Sequence, residues 1–237
     1  MNKVSKRGFD ESDKRWFSSN ELIRLTKAKE EIEWLINRDY KIDPVVTFVG
    51  DRYQFSIRQR DALKRAVCTE EKNIIRQSKK LSLDKIKEGL INIDGFNLII
   101  AIEVALSGGT LVIGSDGNMR DLAGLRGTYK IIDKTEEALK LIGEFFNKYN
   151  AQKIRFYLDS PVSNSGNLKY KILEYAKIWG IETEVELVKS ADVVLEKLDR
   201  VVSSDAVIVD KCISYFNVTR GIIEEYIKDC NIVNLNK

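Results

Sequence analysis

Beyond about Leu81 the chain alternates short apolar, β-branched runs with stretches of helical periodicity, and few architectures accept that rhythm. The runs fall at residues 90–93, 111–113, 154–158, 183–188, 201–203 and 232–235. Between most of them lie apolar positions at three- and four-residue spacings, over 97–106, 135–149, 168–179, 191–198 and 219–228. Strands that alternate with helices of 10–15 residues are too far apart in sequence for hairpins, so they pair in parallel. The expected fold is α/β, with a mostly parallel sheet flanked by helices. Ser82 is placed to cap a short helix reaching Gly89.

The first 80 residues have a different rhythm. Leu22, Leu25, Ile32, Leu35 and Ile36 share one helical face, with Ser19 or Asn20 as the cap. Asp43-Pro44 reads as a break. A second helical stretch follows over 56–76, with Ile57, Leu63, Val67 and Ile74 expected inward. The expected organisation is a basic helical domain over 1–80 and an α/β domain over 81–237. Trp16, Phe17, Trp34 and Tyr40 read as packing residues.

Composition narrows the chemistry. The chain has no histidine, which excludes Ser-His and Cys-His catalysis and imidazole-bound zinc. Three cysteines without a CxxC pair suggest reduced thiols in a cytoplasm. No apolar run is long enough to span a bilayer, and no apolar stretch follows Lys3, Lys6 and Arg7, so neither a membrane span nor a signal peptide is expected. Residues 1–85 carry 20 Lys/Arg against 14 Asp/Glu, a net of +6, and residues 86–237 carry 19 against 22, a net of −3. That split suits a polyanion held by one part and cations held by the other.

Acids recur where the strands should end. Ile91-Asn92-Ile93 runs into Asp94-Gly95-Phe96-Asn97, Phe156-Tyr157-Leu158 into Asp159-Ser160, and Val201-Val202-Ser203-Ser204 into Asp205. Asp192 opens the helix before the last of these strands. Open parallel sheets bind ligands beyond the carboxyl ends of their strands. Grouped carboxylates repel one another unless a counter-charge is supplied, and Mg²⁺ or Mn²⁺ with oxygen ligands supplies one. The competing explanation is helix capping, a common use of aspartate at such positions. After Asp94, Gly95 lets the backbone turn and Asn97 braces a carboxylate or caps the next helix.

Ile93-Asp94-Gly95-Phe96-Asn97 resembles the first motif of NYN domains, a branch of the PIN-like nucleases. Leu158-Asp159-Ser160, Lys189-Ser190-Ala191-Asp192 and Val201-Val202-Ser203-Ser204-Asp205 resemble its later motifs, in the family's order. The resemblance implies a parallel sheet between helices and Mg²⁺- or Mn²⁺-dependent cleavage of RNA. Asp94, Asp159, Asp192 and Asp205 would then be catalytic and metal-binding, supported by Asn97, Ser160 and Ser204. A further acid of that family would fall to Glu103, Asp116 or Asp121. The whole chain also resembles a prokaryotic family of unknown function, through Phe48-Val49-Gly50-Asp51-Arg52-Tyr53 followed by Arg58-Gln59-Arg60 and Leu63.

Two segments read as RNA contacts. Residues 114–129 form a long connection in which Arg120 and Arg126 would meet phosphate and Tyr129 a base. Arg58, Arg60, Lys64 and Arg65 cluster within little more than two helical turns and suit a phosphate backbone, or else form a solvated face. The leading expectation is a divalent-metal-dependent endoribonuclease. The alternative is a catalytically silent RNA-binding or regulatory protein on the same fold. RNA is the expected partner, with a homodimer also open.

Overall fold

The computed structural model describes residues 6–124 and 127–236. Five helices come first: α1 (Asp13–Trp16), α2 (Ser19–Ile36), α3 (Ile42–Arg52), α4 (Ile57–Ala66) and α5 (Glu70–Lys79). A 3-10 turn, Leu83–Glu88, leads into β1 (Ile91–Asp94) and α6 (Gly95–Leu106). There follow β2 (Thr110–Ile113), β3 (Met119–Asp121), α7 (Asp133–Lys148), β4 (Lys153–Asp159), α8 (Ser165–Trp179) and β5 (Glu182–Val188). The chain continues through α9 (Ala191–Leu195), β6 (Val201–Val202), α10 (Ala206–Lys211), β7 (Tyr215–Phe216), α11 (Val218–Tyr226) and β8 (Asn231–Asn234). Among the described residues, no helix is long and apolar enough to cross a membrane.

The larger sheet has the order β5-β4-β1-β6-β7 and is parallel throughout. Its two faces are filled by alternate residues, as the twofold period of a strand requires. Phe156, Leu158, Val202 and Phe216 point into the core shared with α6, α7, α8 and α11. Tyr157, Val201 and Tyr215 point the other way, against Ala191, Leu195, Ile208 and Val209 of α9 and α10. Helices therefore cover both faces, and the α/β architecture with a preceding helical region is the one the alternation predicts.

A second sheet has the order β3-β2-β8, with β2 antiparallel to β3 and parallel to β8. The helical region is built onto it. Leu25, Ala28, Ile32, Val45, Val49, Leu63 and Ala66 share one buried cluster with Val112, Leu122, Val233 and Leu235.

Several local expectations need correction. Pro44 does not break the chain. It sits in the first turn of α3, where its missing N–H has no intrahelical role. The stretch over 56–76 is two helices. Ser56 and Gln59 form a capping box at the start of α4, and Thr69 accepts from Lys72 N–H at the start of α5. Ile57 and Ile74 face outward, 80% and 63% exposed, because α4 buries Gln59, Ala62, Leu63 and Ala66 instead. Trp34 and Tyr40 are exposed as well, and Trp34 carries the Arg38 guanidinium 3.7 Å from its ring centre.

Candidate functional site

The carboxyl ends of β1, β4 and β6 lie side by side, and each delivers an aspartate to the same edge. Asp94 ends β1 and caps α6, accepting the Asn97 N–H at 3.3 Å through Oδ1. Its Oδ2 accepts the Ser203 hydroxyl at 2.8 Å. Asp205 follows β6 and caps α10, accepting the Val207 N–H at 2.7 Å. Ser203 Oγ also accepts the Asp205 N–H at 3.1 Å, so one hydroxyl joins both acids. Asn97 Oδ1 accepts from the Ser204 N–H and hydroxyl, both at 2.9 Å, and braces the end of β6 against α6. Asp192 stands in the first turn of α9.

Gly95 has a reason other than turning. A Cβ there would lie 2.5 Å from Leu158 Cδ2 and 3.2 Å from the Tyr157 carbonyl oxygen. The start of α6 presses against β4 so closely that a Cβ fits only if Leu158 moves aside.

Asp94, Asp192 and Asp205 line a cleft of about 710 Å³ together with Asn97, Ser204 and Asp121. The acids feel one another. Burial pushes the Asp94 carboxyl up to about 7; the bonds from Ser203 and Asn97 pull it back, and the charges of Asp192 and Asp205 add to the rise. Asp192 is raised by burial and then by Asp205 and Asp159. Asp159 is not among the residues lining the cleft. Its Oδ1 accepts the Ala191 N–H at 2.8 Å and so sets where α9, with Asp192, begins. Ser160 is exposed, with its N–H donated to the Val188 carbonyl at 2.7 Å. Ser203 is a further site residue, and its only signal in the sequence is its place beside Ser204 and Asp205.

The opposite wall comes from the helical region. Asp61, Lys64, Arg65 and Val67 from α4 and its end, and Arg76 from α5, line the same cleft. A buried ion network holds that wall in place. Asp116 is 1% exposed and lies between Arg76 Nη1 at 2.7 Å and Arg120 Nη2 at 2.5 Å. Burial opposes its ionisation, yet the bond and charge of Arg120 and the charge of Arg76 hold it well below the usual carboxylate range. Arg120 donates through Nε to the Ser204 carbonyl at 2.7 Å and through Nη1 to the Arg65 carbonyl at 3.1 Å. One guanidinium thus spans both walls.

This geometry corrects several expected RNA contacts and spare acids. Arg120 lines the cleft but is 8% exposed, and four of its five N–H groups are taken by Asp116, Ser204 and Arg65, so it serves the fold before any phosphate. Tyr129 is 1% exposed and donates its hydroxyl to Glu103 at 2.8 Å, so it stacks on no base. Glu103 is wholly buried with that hydroxyl, Thr135 and Arg7, and Asp116 is consumed by its two arginines. Neither is open to an ion, whereas Asp121 does line the cleft. Arg58 forks onto Asp13 at 2.9 and 2.8 Å and also donates to the Gly8 and Leu122 carbonyls. Arg60 donates to the Phe55 carbonyl at 2.9 Å and to Asp51 at 2.8 Å. Both are tie-bars within the fold. Arg126 lies outside the described residues.

The oxygen donors suit a hard divalent cation. Among the described residues, no three acidic or sulfur side chains are gathered as a ready ligand set. Mg²⁺ is commonly held by one or two carboxylates, with waters and substrate phosphate completing its shell, so the donor set fits without a preformed cage.

These features define a mixed α/β protein whose acidic strand ends face a helical N-terminal region across a cleft. The chain belongs to the family described as domain of unknown function DUF5616, whose model matches residues 83–221. Residues 24–79 match a second model, described as protein of unknown function DUF434. The chain is 36% identical over 187 residues to the uncharacterized protein MJ0935 of Methanocaldococcus jannaschii, covering 79% of this chain and 89% of that protein. No solved structure matches it.

Proposed function

We propose that the cleft hydrolyses phosphodiester bonds of RNA with the aid of Mg²⁺ or Mn²⁺, as the resemblance to PIN-like and NYN nucleases implies. The observation that carries this reading is the convergence of Asp94, Asp192 and Asp205, from three separate elements, on one cleft. Burial and mutual charge raise both Asp94 and Asp192 from their ordinary values, as expected of acids waiting for a counter-charge. One or two of Asp94, Asp192 and Asp205 would hold the ion, with waters and substrate phosphate completing its shell, and Asp159 would act through the start of α9. A bound divalent ion would activate water and offset charge on the scissile phosphate. Ser203 keeps Asp94 and Asp205 in fixed relation, and Asn97 keeps the end of β6 from moving away.

A second reading rests on an equally specific observation. Both oxygens of Asp94 already have partners, and Asp205 Oδ1 already accepts from α10. On that reading the acids are structural caps, and the cleft binds RNA without cutting it. Incubation of a labelled RNA with Mn²⁺, beside Asp94→Asn and Asp205→Asn controls, separates the two. Cleavage by the wild type that either substitution abolishes supports hydrolysis. Binding without cleavage at millimolar Mn²⁺ supports the second reading.

A further inference from the structure

The four cations of α4 divide sharply. Arg58 is paired with Asp13, Arg60 with Asp51 and Lys64 with Asp43. On the neighbouring elements, Arg76 and Arg120 are both paired with Asp116. Arg65 is the exception. Among the described residues its side chain has no carboxylate partner, and Asp61 one turn back makes no ion pair with it. It is half-buried, and it lines the cleft opposite Asp94, Asp192 and Asp205. A guanidinium partly withdrawn from water without a partner is costly, and its planar fork matches two oxygens of a phosphate.

Its position is also fixed. The Arg65 carbonyl receives Arg120 Nη1 at 3.1 Å, and the Ala66 carbonyl receives the Ser115 N–H at 2.8 Å. A Cβ on Gly114 would lie 2.7 Å from that Ala66 carbonyl, so the end of α4 is seated directly on the β2–β3 turn. Because Arg120 also bonds the Ser204 carbonyl, the distance from Arg65 to the acidic edge is set by one rigid side chain.

We propose that Arg65 is the phosphate-holding residue of the cleft, which makes the binding site composite: the helical region grips the polyanion's backbone directly above the acids. This rests on the RNA reading of the cleft, and it replaces a broad basic patch on α4 with a single contact flanked by Lys64.

The test uses the full chain as wild type, Arg65→Ala, Arg65→Lys and, as a control for charge alone, Lys27→Ala on the exposed side of α2. A fluorescent single-stranded oligoribonucleotide is titrated across a KCl series, and cleavage is followed with Mn²⁺. For Arg65→Ala, the slope of log K against log salt should fall by about 0.7, the loss of one phosphate contact on a single strand. Its kcat/KM should drop about tenfold or more, as for a lost charge-assisted bond. Arg65→Lys should keep the slope and bind more weakly, while Lys27→Ala and the Mn²⁺-induced rise in Tm should not change. An Arg65→Ala protein with wild-type slope overturns the assignment, as does a wild type that binds no RNA at low salt. RNA binding with an Arg65-dependent slope but no Mn²⁺-dependent cleavage would leave Arg65 in place and remove the hydrolytic reading instead.

Discussion

Ser203 donates its hydroxyl to Asp94 across the β1–β6 pair at 2.8 Å, binding the most deeply buried acid of the cleft to the strand end that carries Asp205. This bond offsets only part of the burial cost, because Asp94 remains raised from 3.8 to about 7. A carboxyl whose folded value lies above its unfolded one favours the folded state when protonated. Its contribution is fully present below about pH 4 and is lost as pH rises through 7. Asp94→Asn should therefore gain stability relative to wild type as pH goes from 4 to 8, by on the order of 4 kcal/mol, with little further change above pH 8. Thermal melts across that range check it; a difference between the two proteins that ignores pH would remove the assignment.

Divalent ions should reverse that trend. At an ion concentration of about 100 times Kd, linkage adds about 2.7 kcal/mol, which for a protein of this size is a Tm rise on the order of 5 °C or more. The rise should be larger at pH 8 than at pH 6, because the proton on Asp94 competes with the ion. Asp205→Asn should remove most of it. Scanning fluorimetry with Mg²⁺ and Mn²⁺ at both pH values reads this directly, and identical melts with and without ion would exclude an ion site.

Asp116 behaves in the opposite sense. Its folded value is depressed, so its contribution is present above the unfolded carboxyl value and is lost as pH falls below about 4. Asp116→Asn leaves Arg76 and Arg120 buried without their shared counter-charge and should cost about 3–5 kcal/mol. Urea denaturation at pH 7 measures the loss. A cost below about 1 kcal/mol would mean that water reaches those arginines, since exposed pairs contribute no more than that.

Gly95→Ala should destabilise by about 1–3 kcal/mol, as overpacking does, and should blunt the response to Mn²⁺ by shifting Asp94. Leu158→Ala in the same chain opens the space the new methyl needs. The double variant should then be more stable than the sum of the single losses allows, which a double-mutant cycle reports.

Tyr129→Phe is the control for the 114–129 segment. Removing a buried hydroxyl bonded to Glu103 should cost about 1–2 kcal/mol and leave RNA affinity unchanged. A loss of RNA binding without a loss of stability would restore the tyrosine as a base contact.

The sequence shows the centre of the larger sheet well because β1 and β6 are buried on both faces. Runs such as Ile91-Asn92-Ile93 and Val201-Val202 end in polar residues that cannot continue the core. The aspartates at their ends follow from the same pattern. In the smaller sheet β2 and β8 show as the runs at 111–113 and 232–235, whereas β3 is hidden. Met119-Arg120-Asp121 has one apolar residue, and Tyr215-Phe216 in the larger sheet is too short to show a period. Arginine fates were hidden for another reason. Arg58 meets Asp13 across 45 positions and Arg76 meets Asp116 across 40. Charge density along α4 gives no sign of either, so Arg58 and Arg65 look alike in sequence and differ completely in space.

The shared cluster beneath the helical region also bears on synthesis. Leu25, Ile32, Val49 and Leu63 leave the ribosome early, yet their burial is completed by Val233 and Leu235 on and after the strand made last among these elements. Until β8 follows β2, then, the first helices present an apolar face that Val112 and Leu122 cover only in part. During that interval, a nascent chain of this protein has reason to rely on chaperone protection until β8 emerges and docks beside β2.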